Sequence, residues 1–523
     1  MPLQIAPVPL HLPGETKLPS CSAPTSLPDH LQVDTCGGRV RVEWDPHAPV
    51  TPLGQLVFFA QFLETSGRLA LWVGDCPWVY TSPNAPVVRD VCGTLLLSVL
   101  SGHHRYAHVS ALRGDQVNAP LLGMGQVVSE DSLRRALAKG HGEPAVEAAV
   151  ARWQQRHLRE SYGPLLSVPW ILDIDSTIKT LYGHQEGAEV GYNPHKRGRP
   201  AHVYHTYLMG TTRLVLDVEV QPGKQTAAQH ALPGLWRLLD ALPTDAQPTL
   251  IRGDCSFGQE GVLVAAEARG RDYLFKLRLT RRPKDLIRRL EQQGQWQDAG
   301  QGWQGQEGEL RLAGWSRVRR VLVLRRPVKT PTVPAPAAQG QLGWPQPFVT
   351  SAPEYEYAVL VTSLKLGVLA VAQLYRDRGD AENNFDELKN QWGWAGFTTR
   401  DLYRCQAMAR HIALIYNWWS LFVRLAEPSL RREAITSRPL LLHAVARQTT
   451  HAGQRVVSVT PLHAEEPKIR RMLTELSQYL EAFKTTAEQL TWGQRWGRIL
   501  SRIFRSLLGD VELKVPAWVA APT

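Results

Sequence analysis

Hydrophobic runs between residues 167 and 277 follow an order that limits the fold of this chain more than any other feature of the sequence. The run at 168–175 is typical of a buried strand that ends in carboxylates, and Gly210-Thr211-Thr212 separates two further strand runs, as in a hairpin. The predicted segments are strands at 168–175, 201–209 and 213–220, a helix at 226–242, a strand at 249–253, a helix at 258–269 and a strand at 272–277. Three strands followed by alternating helices and strands predict an α/β core on a mixed sheet.

The rest of the chain divides into flanking regions. Residues 281–352 are rich in Gln, Gly, Trp and Pro and carry strand-like runs, which indicates a β-rich insertion with a Pro-rich loop at 327–347. Helical patterns then cover roughly 370–392, 401–426 and 463–508. The predicted organisation is a flexible leader (1–35), a helical region (36–165), the first part of the core (166–280), the β-rich insertion (281–352), the second part of the core with a helix that carries Glu382 (353–430), and a helical, basic C-terminal region (431–523).

Charge narrows the class of partner. Lys and Arg number 59 against 48 Asp and Glu, which gives a formal net charge of +11 and a pI near 9.4. This basicity favours a polyanionic partner, with nucleic acid as the first choice and a mere gain in solubility as the alternative. The six cysteines form no Cys-x-x-Cys pair, which argues against a zinc ribbon and indicates a reducing compartment. No run of about 18 apolar residues occurs, so we expect no membrane span.

The most informative motif runs from Tyr375 to Lys389. On one continuous α-helix, Tyr375, Arg378, Glu382 and Lys389 fall within an arc of about 60°. One helix face would then present a carboxylate between cations. An amphipathic surface helix with i, i+4 ion pairs, such as Arg378 with Glu382, is the alternative.

Two aspartates at strand ends can join Glu382. Asp175 closes the first strand run, and Asp254 follows the strand at 249–253, where open α/β sheets place their chemistry. Three carboxylates close together repel one another strongly unless cations lie between them. Because Mg²⁺ prefers carboxylate oxygens and keeps water and phosphate as its other ligands, two Mg²⁺ ions are the expected occupants.

These residues resemble the DDE-class transposases of bacterial insertion sequences, in the branch with a Tyr-x2-Arg-x3-Glu-x6-Lys signature. Tyr375, Arg378, Glu382 and Lys389 match that spacing without a gap, Leu172–Thr177 looks like the first-strand motif, and Arg252–Gly258 looks like the second. The resemblance implies an RNase H-like catalytic core with a β insertion, in which Asp175, Asp254 and Glu382 are the metal ligands. It favours Asp175 over Asp173, although both face the same side of a regular strand.

The resemblance also implies an activity. A bacterial, cytoplasmic enzyme of this class would bind the terminal inverted repeats of an insertion sequence and cut and join DNA by metal-dependent phosphoryl transfer. Two Mg²⁺ ions per site, for which Mn²⁺ can substitute, would serve the three carboxylates, while Tyr375, Arg378 and Lys389 would hold phosphates. We expect a homodimer on double-stranded repeat and target DNA, with residues 36–165 in DNA binding or dimerisation. An RNase H-fold nuclease that never joins strands and a non-catalytic DNA-binding descendant are the alternatives.

Residues outside these motifs give weaker signals. Lys196, Arg197 and Arg199 lie on a turn-rich loop between the first two strands and predict phosphate contacts. An Arg-rich helical pattern at 495–505 indicates a contact with DNA or a second subunit, against a plain surface helix. Candidates for stacking a flipped base, each with ordinary packing as the alternative, are Trp296, Trp303, Trp315 and Trp344.

Overall fold

Ten of the strands in the described part of the chain form one mixed sheet, around which the other elements are arranged. The structure is a computed structural model that describes residues 30–194, 196–328, 354–514 and 516, without the side chains of residues 380–382. The chain forms two compact units, one that ends at Pro49 and one that begins at Val50. In the described ranges, no helix combines the length and the apolarity needed to cross a bilayer.

The N-terminal region is mainly helical beyond its first hairpin. The hairpin of β1 (His30–Thr35) and β2 (Gly38–Glu43) belongs to the first unit, and β1 occupies the end of the predicted leader, whose other residues lie outside the described part. The following elements are β3 (Val50–Thr51), α1 (Leu56–Ser66), α2 (Arg68–Gly74), α3 (Val88–Leu100), α4 (Asn118–Leu121), α5 (Glu130–Leu137) and α6 (Pro144–Tyr162), with short 3₁₀ helices at Tyr106–Leu112 and Gly163–Ser167. The Ser129 hydroxyl caps α5 by accepting from the amide of Ser132.

The core has the predicted alternation of strands and helices. Its elements are β4 (Ile171–Thr180), β5 (Glu189–Val190), β6 (Pro200–Met209), β7 (Leu214–Pro222), α7 (Ala228–Asp240), β8 (Leu250–Gly253), α8 (Glu260–Ala268) and β9 (Tyr273–Leu277), with a 3₁₀ turn at Thr244–Ala246. The spatial order is β7-β6-β4-β8-β9. Strand β6 is antiparallel to both of its neighbours, β4 and β7, whereas β8 is parallel to β4 and β9 is parallel to β8. This is an RNase H-like core.

The β-rich insertion extends the same sheet. It contains α9 (Arg281–Gln293), β10 (Gln297–Gly300), β11 (Trp303–Leu310) and β12 (Arg319–Pro327), followed by β13 (Tyr355–Thr362). These strands pair antiparallel in series, and β13 then pairs with β9 of the core. Most of the predicted Pro-rich loop at 327–347 lies outside the described residues.

The C-terminal half is helical with one exception. Its elements are α10 (Val368–Arg376), α11 (Gly379–Asn390), α12 (Leu402–Ala426), α13 (Ala434–Leu441), β14 (Val445–His451), β15 (Gln454–Thr460), α14 (Glu466–Thr486), α15 (Trp492–Ile503) and α16 (Arg505–Leu508). The β14–β15 hairpin, which pairs with β3, was not predicted. The single helix predicted at 463–508 is wrong, because a capping box at Thr491 and Gln494 starts a new helix there.

Helix α12 covers the outer edge of the core sheet. Among the described strands, β7 pairs only with β6, so its other edge offers backbone groups that no strand of the described chain pairs. The side-chain amide of Asn417 accepts from the backbone amide of Val215 at 2.9 Å and donates to the Val215 carbonyl at 2.8 Å. The side chain of Gln406 likewise accepts from the backbone amide of Val220 and donates to the carbonyl of Val218. A buried ion pair between Arg410 and Asp217, 2.8 Å long, adds to this contact. The helix therefore replaces the missing neighbouring strand.

Aromatic packing around α12 encloses a neutral histidine. His411 is 1% exposed and packs edge-on against Trp72 and Trp153. Its Nε2 lies 3.0 Å from the side-chain amide nitrogen of Gln154, which fits a donor from Gln154 to an unprotonated ring nitrogen. Burial lowers the pKa of His411 to about 3.

We predict that the stability of the fold decreases as the pH falls below about 6.5, the ordinary pKa of histidine. Between that value and the folded-state pKa of about 3, the unfolded chain binds a proton that His411 in the folded chain does not bind. Folding then loses up to about 1.4 kcal/mol per pH unit from this one group. Melting temperatures at pH 7.5 and pH 5 test this. The loss should be smaller in His411→Gln than in wild type and in a His451→Gln control at an exposed position; equal losses in all three would contradict it.

Candidate active site

Two of the predicted aspartates line one cavity at the carboxyl edge of the core sheet. In the parallel pairing of β4 and β8, Ile174 lies opposite Gly253, so Asp175 and Asp254 are the next residues on neighbouring strands. Both line a cavity of about 850 Å³. Strand β8 ends at Gly253, whereas β4 continues beyond that level to Thr180. Its residues Ser176, Thr177 and Ile178 form one wall of the cavity.

Backbone amides orient both carboxylates. The amide of Ser176 donates to Asp175 Oδ1 at 2.7 Å, and the amide of Ser256 donates to Asp254 Oδ1 at 2.9 Å. The Ser256 hydroxyl also lies 3.4 Å from Asp254 Oδ2. These contacts hold each carboxylate in one orientation toward the cavity, as a site with fixed geometry requires.

Asp173 has a different environment from Asp175. It is 2% exposed and forms a bidentate ion pair with Arg252, at 2.6 Å and 2.7 Å. Arg252 also donates to the carbonyl of Leu374 at the end of α10. A Cβ at Gly210 would lie 2.7 Å from both partners of the pair, so the close approach requires glycine there. Asp173 is thus a structural partner of Arg252 and is not among the residues that line the cavity.

The predicted helix at 370–392 is two helices. α10 ends at Arg376 and α11 begins at Gly379, and the amide of Arg378 donates to the Tyr375 carbonyl at 3.1 Å, an i to i−3 bond. This tight turn changes the direction in which residues after it project. The predicted arc of about 60° assumes one regular helix, and the turn at Asp377 and Arg378 interrupts that regularity between Tyr375 and Glu382.

Arg378 lies among the acidic residues of the site. It is 4% exposed and forms an ion pair with Asp175. Burial lowers the pKa of this guanidinium, but the carboxylates of Asp175, Asp173 and Asp254 together with Tyr375 outweigh that effect and raise it above its ordinary value. The cation remains charged and balances part of the negative charge of the site.

The other signature residues have separate positions. Lys389, in the last turn of α11, lines the cavity, and burial lowers its pKa while Asp386 opposes that shift. Tyr375 is half-buried against the smaller hydrophobic cluster beneath β13 and α10. Glu382 lies within α11, and its side chain is outside the described part of the structure.

The predicted basic loop borders the cavity. Tyr192 and Pro194, at the start of this loop, line the cavity, and Tyr192 is 70% exposed. Lys196, Arg197 and Arg199 are all exposed. The amide of Lys196 donates to Asn193 Oδ1 at 3.0 Å, which orders the loop as a turn.

Sequence reasoning missed two basic residues of this region. Arg252 lies within the second motif, but nothing in the sequence predicts that it pairs with Asp173. Arg278 follows β9 directly and lines the cavity. Its position in the sequence could have predicted this, because β9 is parallel to β8 and the two strands therefore end at the same edge of the sheet.

The tryptophans of the insertion pack beneath arginines. The guanidinium of Arg325 lies 4.0 Å from the ring of Trp296, that of Arg326 lies 4.8 Å from Trp303, and that of Arg319 lies 5.1 Å from Trp315. Each contact is a cation–π interaction. Each of these three rings packs against an arginine, base stacking by any of them stays a prediction, and Trp344 lies outside the described residues.

The donor atoms around the cavity are compatible with a hard divalent cation. Asp175 and Asp254 offer carboxylate oxygens to the same space, which are the ligands that Mg²⁺ prefers. Among the described side chains, no group of three or more His, Cys, Asp or Glu residues could hold a metal. A third carboxylate ligand would have to come from outside the described side chains, which leave out those of residues 380–382.

Comparison with known proteins adds the family. The family model described as "Transposase DDE domain group 1" matches residues 88–480, which is most of the chain. The chain belongs to this family of transposase DDE domains. This transposase matches no curated protein. Among solved structures, it is similar to a piggyBac transposase in a cryo-EM synaptic complex with hairpin DNA, with 10% sequence identity over 87% of this chain and 86% of the other and a TM-score of 0.37.

We predict that Asp173→Ala destabilises this transposase by about 3–5 kcal/mol, because it leaves the Arg252 guanidinium buried without its partner. A matched control is Asp285→Ala, which removes an exposed ion pair with Arg288 and should cost about 1 kcal/mol or less. Denaturant unfolding measures both. The double variant Asp173→Leu/Arg252→Met should recover much of the loss. A cost for Asp173→Ala as small as the control would show that the buried pair contributes little.

Proposed function

We propose that this transposase recognises the terminal inverted repeats of an insertion sequence and moves the element by cut-and-paste transposition, through metal-dependent DNA cleavage and strand transfer. The observation that carries the proposal is the shared cavity, which Asp175, Asp254 and Lys389 line together. Two carboxylates suited to divalent cations and an ammonium suited to phosphate thus face one space.

Three carboxylates form the proposed metal site. Asp175, Asp254 and Glu382 would hold two Mg²⁺ ions, for which Mn²⁺ can substitute. Such ions, when bound, activate the attacking water or DNA 3′-hydroxyl and stabilise the leaving oxygen of an in-line displacement. The amides of Ser176 and Ser256 keep Asp175 and Asp254 oriented for this role.

The cations of the site have a proposed role in DNA binding. Arg378 already contacts Asp175, so a phosphate bound beside that carboxylate lies within its reach. A guanidinium binds phosphate in a bidentate manner, whereas the Lys389 ammonium acts as a point charge. We assign Arg378 to the phosphate beside the cleavage point, and Lys389 and Tyr375 to neighbouring phosphates. Lys196, Arg197 and Arg199 extend the DNA contact along the loop.

The proposed reaction joins two element ends to one target, so two active sites are needed. A homodimer on double-stranded DNA supplies them, and we propose this assembly in the bacterial cytoplasm. A nuclease of the same fold would cut but never join, and a non-catalytic descendant would only bind. Joining therefore separates the three functions.

We predict that Asp254→Asn and Glu382→Gln each reduce cleavage at repeat ends by at least about 10²-fold while end binding is retained, because each variant removes one charge at nearly constant shape. The measurement uses purified protein, Mg²⁺ and duplex DNA that carries the repeats flanking its own gene, with nicked and joined products separated on gels. Asp386→Asn, an exposed neutralisation on the same helix as Glu382, is the matched control and should cleave normally.

Other outcomes of this experiment reject parts of the proposal. Cleavage without joining in wild type would support the nuclease instead. Tight binding without cleavage would support the non-catalytic descendant. Full activity of Glu382→Gln would remove this residue from the metal site.

We predict that Lys389→Ala weakens binding to repeat and unrelated duplexes by similar factors and decreases the slope of log affinity against log salt by about 1, as loss of one phosphate contact requires. Fluorescence anisotropy at several salt concentrations measures this. An unchanged slope would place Lys389 away from the backbone.

A further inference from the structure

A second cavity lies farther along β4. It has a volume of about 530 Å³ and begins where the wall of the first cavity ends: Ile178 lines the first, and Thr180, Leu181 and Tyr182 line the second. Its other walls come from the 3₁₀ helix near Tyr106 and from the turn at 395–398 after α11. The helical region and the core thus meet at this cavity, at the far end of the strand that carries Asp175.

Tyr182 brings two cations together at the rim of this cavity. Its ring is 67% exposed, and both the Lys196 ammonium, at 5.1 Å, and the Arg199 guanidinium, at 5.7 Å, lie over it. The Lys196 ammonium also donates to the Tyr182 hydroxyl. Over the described ranges, no carboxylate forms an ion pair with either cation. Two like charges on one ring repel each other, and an anion between them would remove that cost.

Other residues that line the cavity add positive charge. Arg105 is exposed at the cavity, and the Arg134 guanidinium lies 4.8 Å from the ring of Tyr106, which also lines the cavity. Arg134 is paired with Glu130, so its charge is partly balanced, whereas Lys196 and Arg199 carry no such partner in the described part. The two cations without a described carboxylate partner thus lie at the Tyr182 ring, where an anion could bind. We name Tyr182, Lys196 and Arg199 the tyrosine platform.

The distance between the two sites corresponds to a length of duplex DNA. A strand advances about 3.3 Å per residue, so the five residues from Asp175 to Thr180 span about 17 Å, and Tyr182 lies at most about 23 Å away. Phosphates along one DNA strand are about 3.4 Å apart along the axis. The platform is thus five to seven base pairs from the position of a phosphate bound at Asp175.

We propose that the tyrosine platform binds the phosphodiester backbone of the duplex five to seven base pairs from the cleavage point. The inference rests on the proposed function, because it takes the first cavity as the place of cleavage. The ligand is the DNA backbone and not a base edge, since two cations close together on one ring are matched by an anionic phosphate better than by a neutral base. The repeat and the DNA that flanks it present the same backbone, and the experiment separates them.

The test replaces individual phosphates by neutral methylphosphonates in an end duplex that contains the cleavage point. One set of duplexes carries the replacement three to nine base pairs away on the repeat side, and a second set carries it on the flank side. Affinity for the full-length protein is measured by anisotropy, with cleavage-deficient Glu382→Gln as the parent. A replacement at five to seven base pairs on one side should weaken binding about five- to tenfold, and replacements elsewhere in the set should have less effect.

Variants of the platform link this effect to its residues. Tyr182→Ala and Lys196→Ala/Arg199→Ala should bind the unmodified duplex about five- to tenfold more weakly and should then be insensitive to the replacement at five to seven base pairs. Tyr182→Phe keeps the ring and should lose less. Arg269→Ala, which removes an arginine 4.3 Å from the ring of Trp236, is the matched control and should respond as the parent does.

Several results would overturn the inference. They are equal sensitivity to the replacement in parent and platform variants, no sensitive phosphate on either side, or a sensitive phosphate only outside five to seven base pairs. A parent that does not bind the unmodified end duplex would instead reject the proposed function, and the inference falls with it. If the parent binds the end duplex normally and the platform variants bind it equally well, the inference is rejected and the proposed function is not.

Discussion

Asp173 and Arg252 meet in the interior between two parallel strands, where neither charge reaches solvent. Removing two charges from water costs several kcal/mol for each ion, and only a well-formed pair compensates for this. The bidentate contact at 2.6 Å and 2.7 Å meets that condition, and the third bond of the guanidinium, to the Leu374 carbonyl, fixes the end of α10. The two residues of the pair are opposite each other in the β4–β8 register that also brings Asp175 beside Asp254, and the bond to Leu374 links them to the helix that precedes Arg378.

The net charge of +11 is distributed unevenly between the interior and the surface. Three buried arginines have carboxylate partners: Arg378 pairs with Asp175, Arg410 with Asp217 and Arg68 with Glu160. A fourth, Arg438, donates to the backbone carbonyls of Gln391 and Val99. The exposed cations on the tyrosine platform have no carboxylate partner in the part of the chain that the structure describes. Composition alone therefore overstates how many arginines are available to DNA, and burial identifies those that hold the fold together.

Local periodicity predicted the core well. The strand expected at 201–209 is Pro200–Met209, and the helix expected at 226–242 is Ala228–Asp240, because alternation and helical spacing are properties of neighbouring residues. Asp175, Asp254 and Lys389 were also predicted, from motifs, and the structure brings them to one cavity. Their roles in metal and DNA binding stay predictions.

Features that depend on distant residues were not predicted. Arg252 and Asp173 are 79 positions apart, and no spacing rule connects them. The break before Gly379 falls inside a regular helical pattern, and Arg378 makes its ion pair with a strand rather than with a residue on its own helix. The turn that connects β14 to β15 consists of Ala452 and Gly453, which both have positive φ, and a non-glycine residue at such a position gives little sequence signal.

The continuity of the sheet has a consequence for the insertion. Because β13 pairs with β9, and β9 pairs with β8, backbone hydrogen bonds connect β10 at one edge to the strands that carry the aspartates. A partner bound to the insertion would therefore contact the same sheet that carries the core strands. The described strands of the insertion are therefore a continuation of the core sheet, and paired strands connect its outer edge to the strands that lead to Asp175 and Asp254.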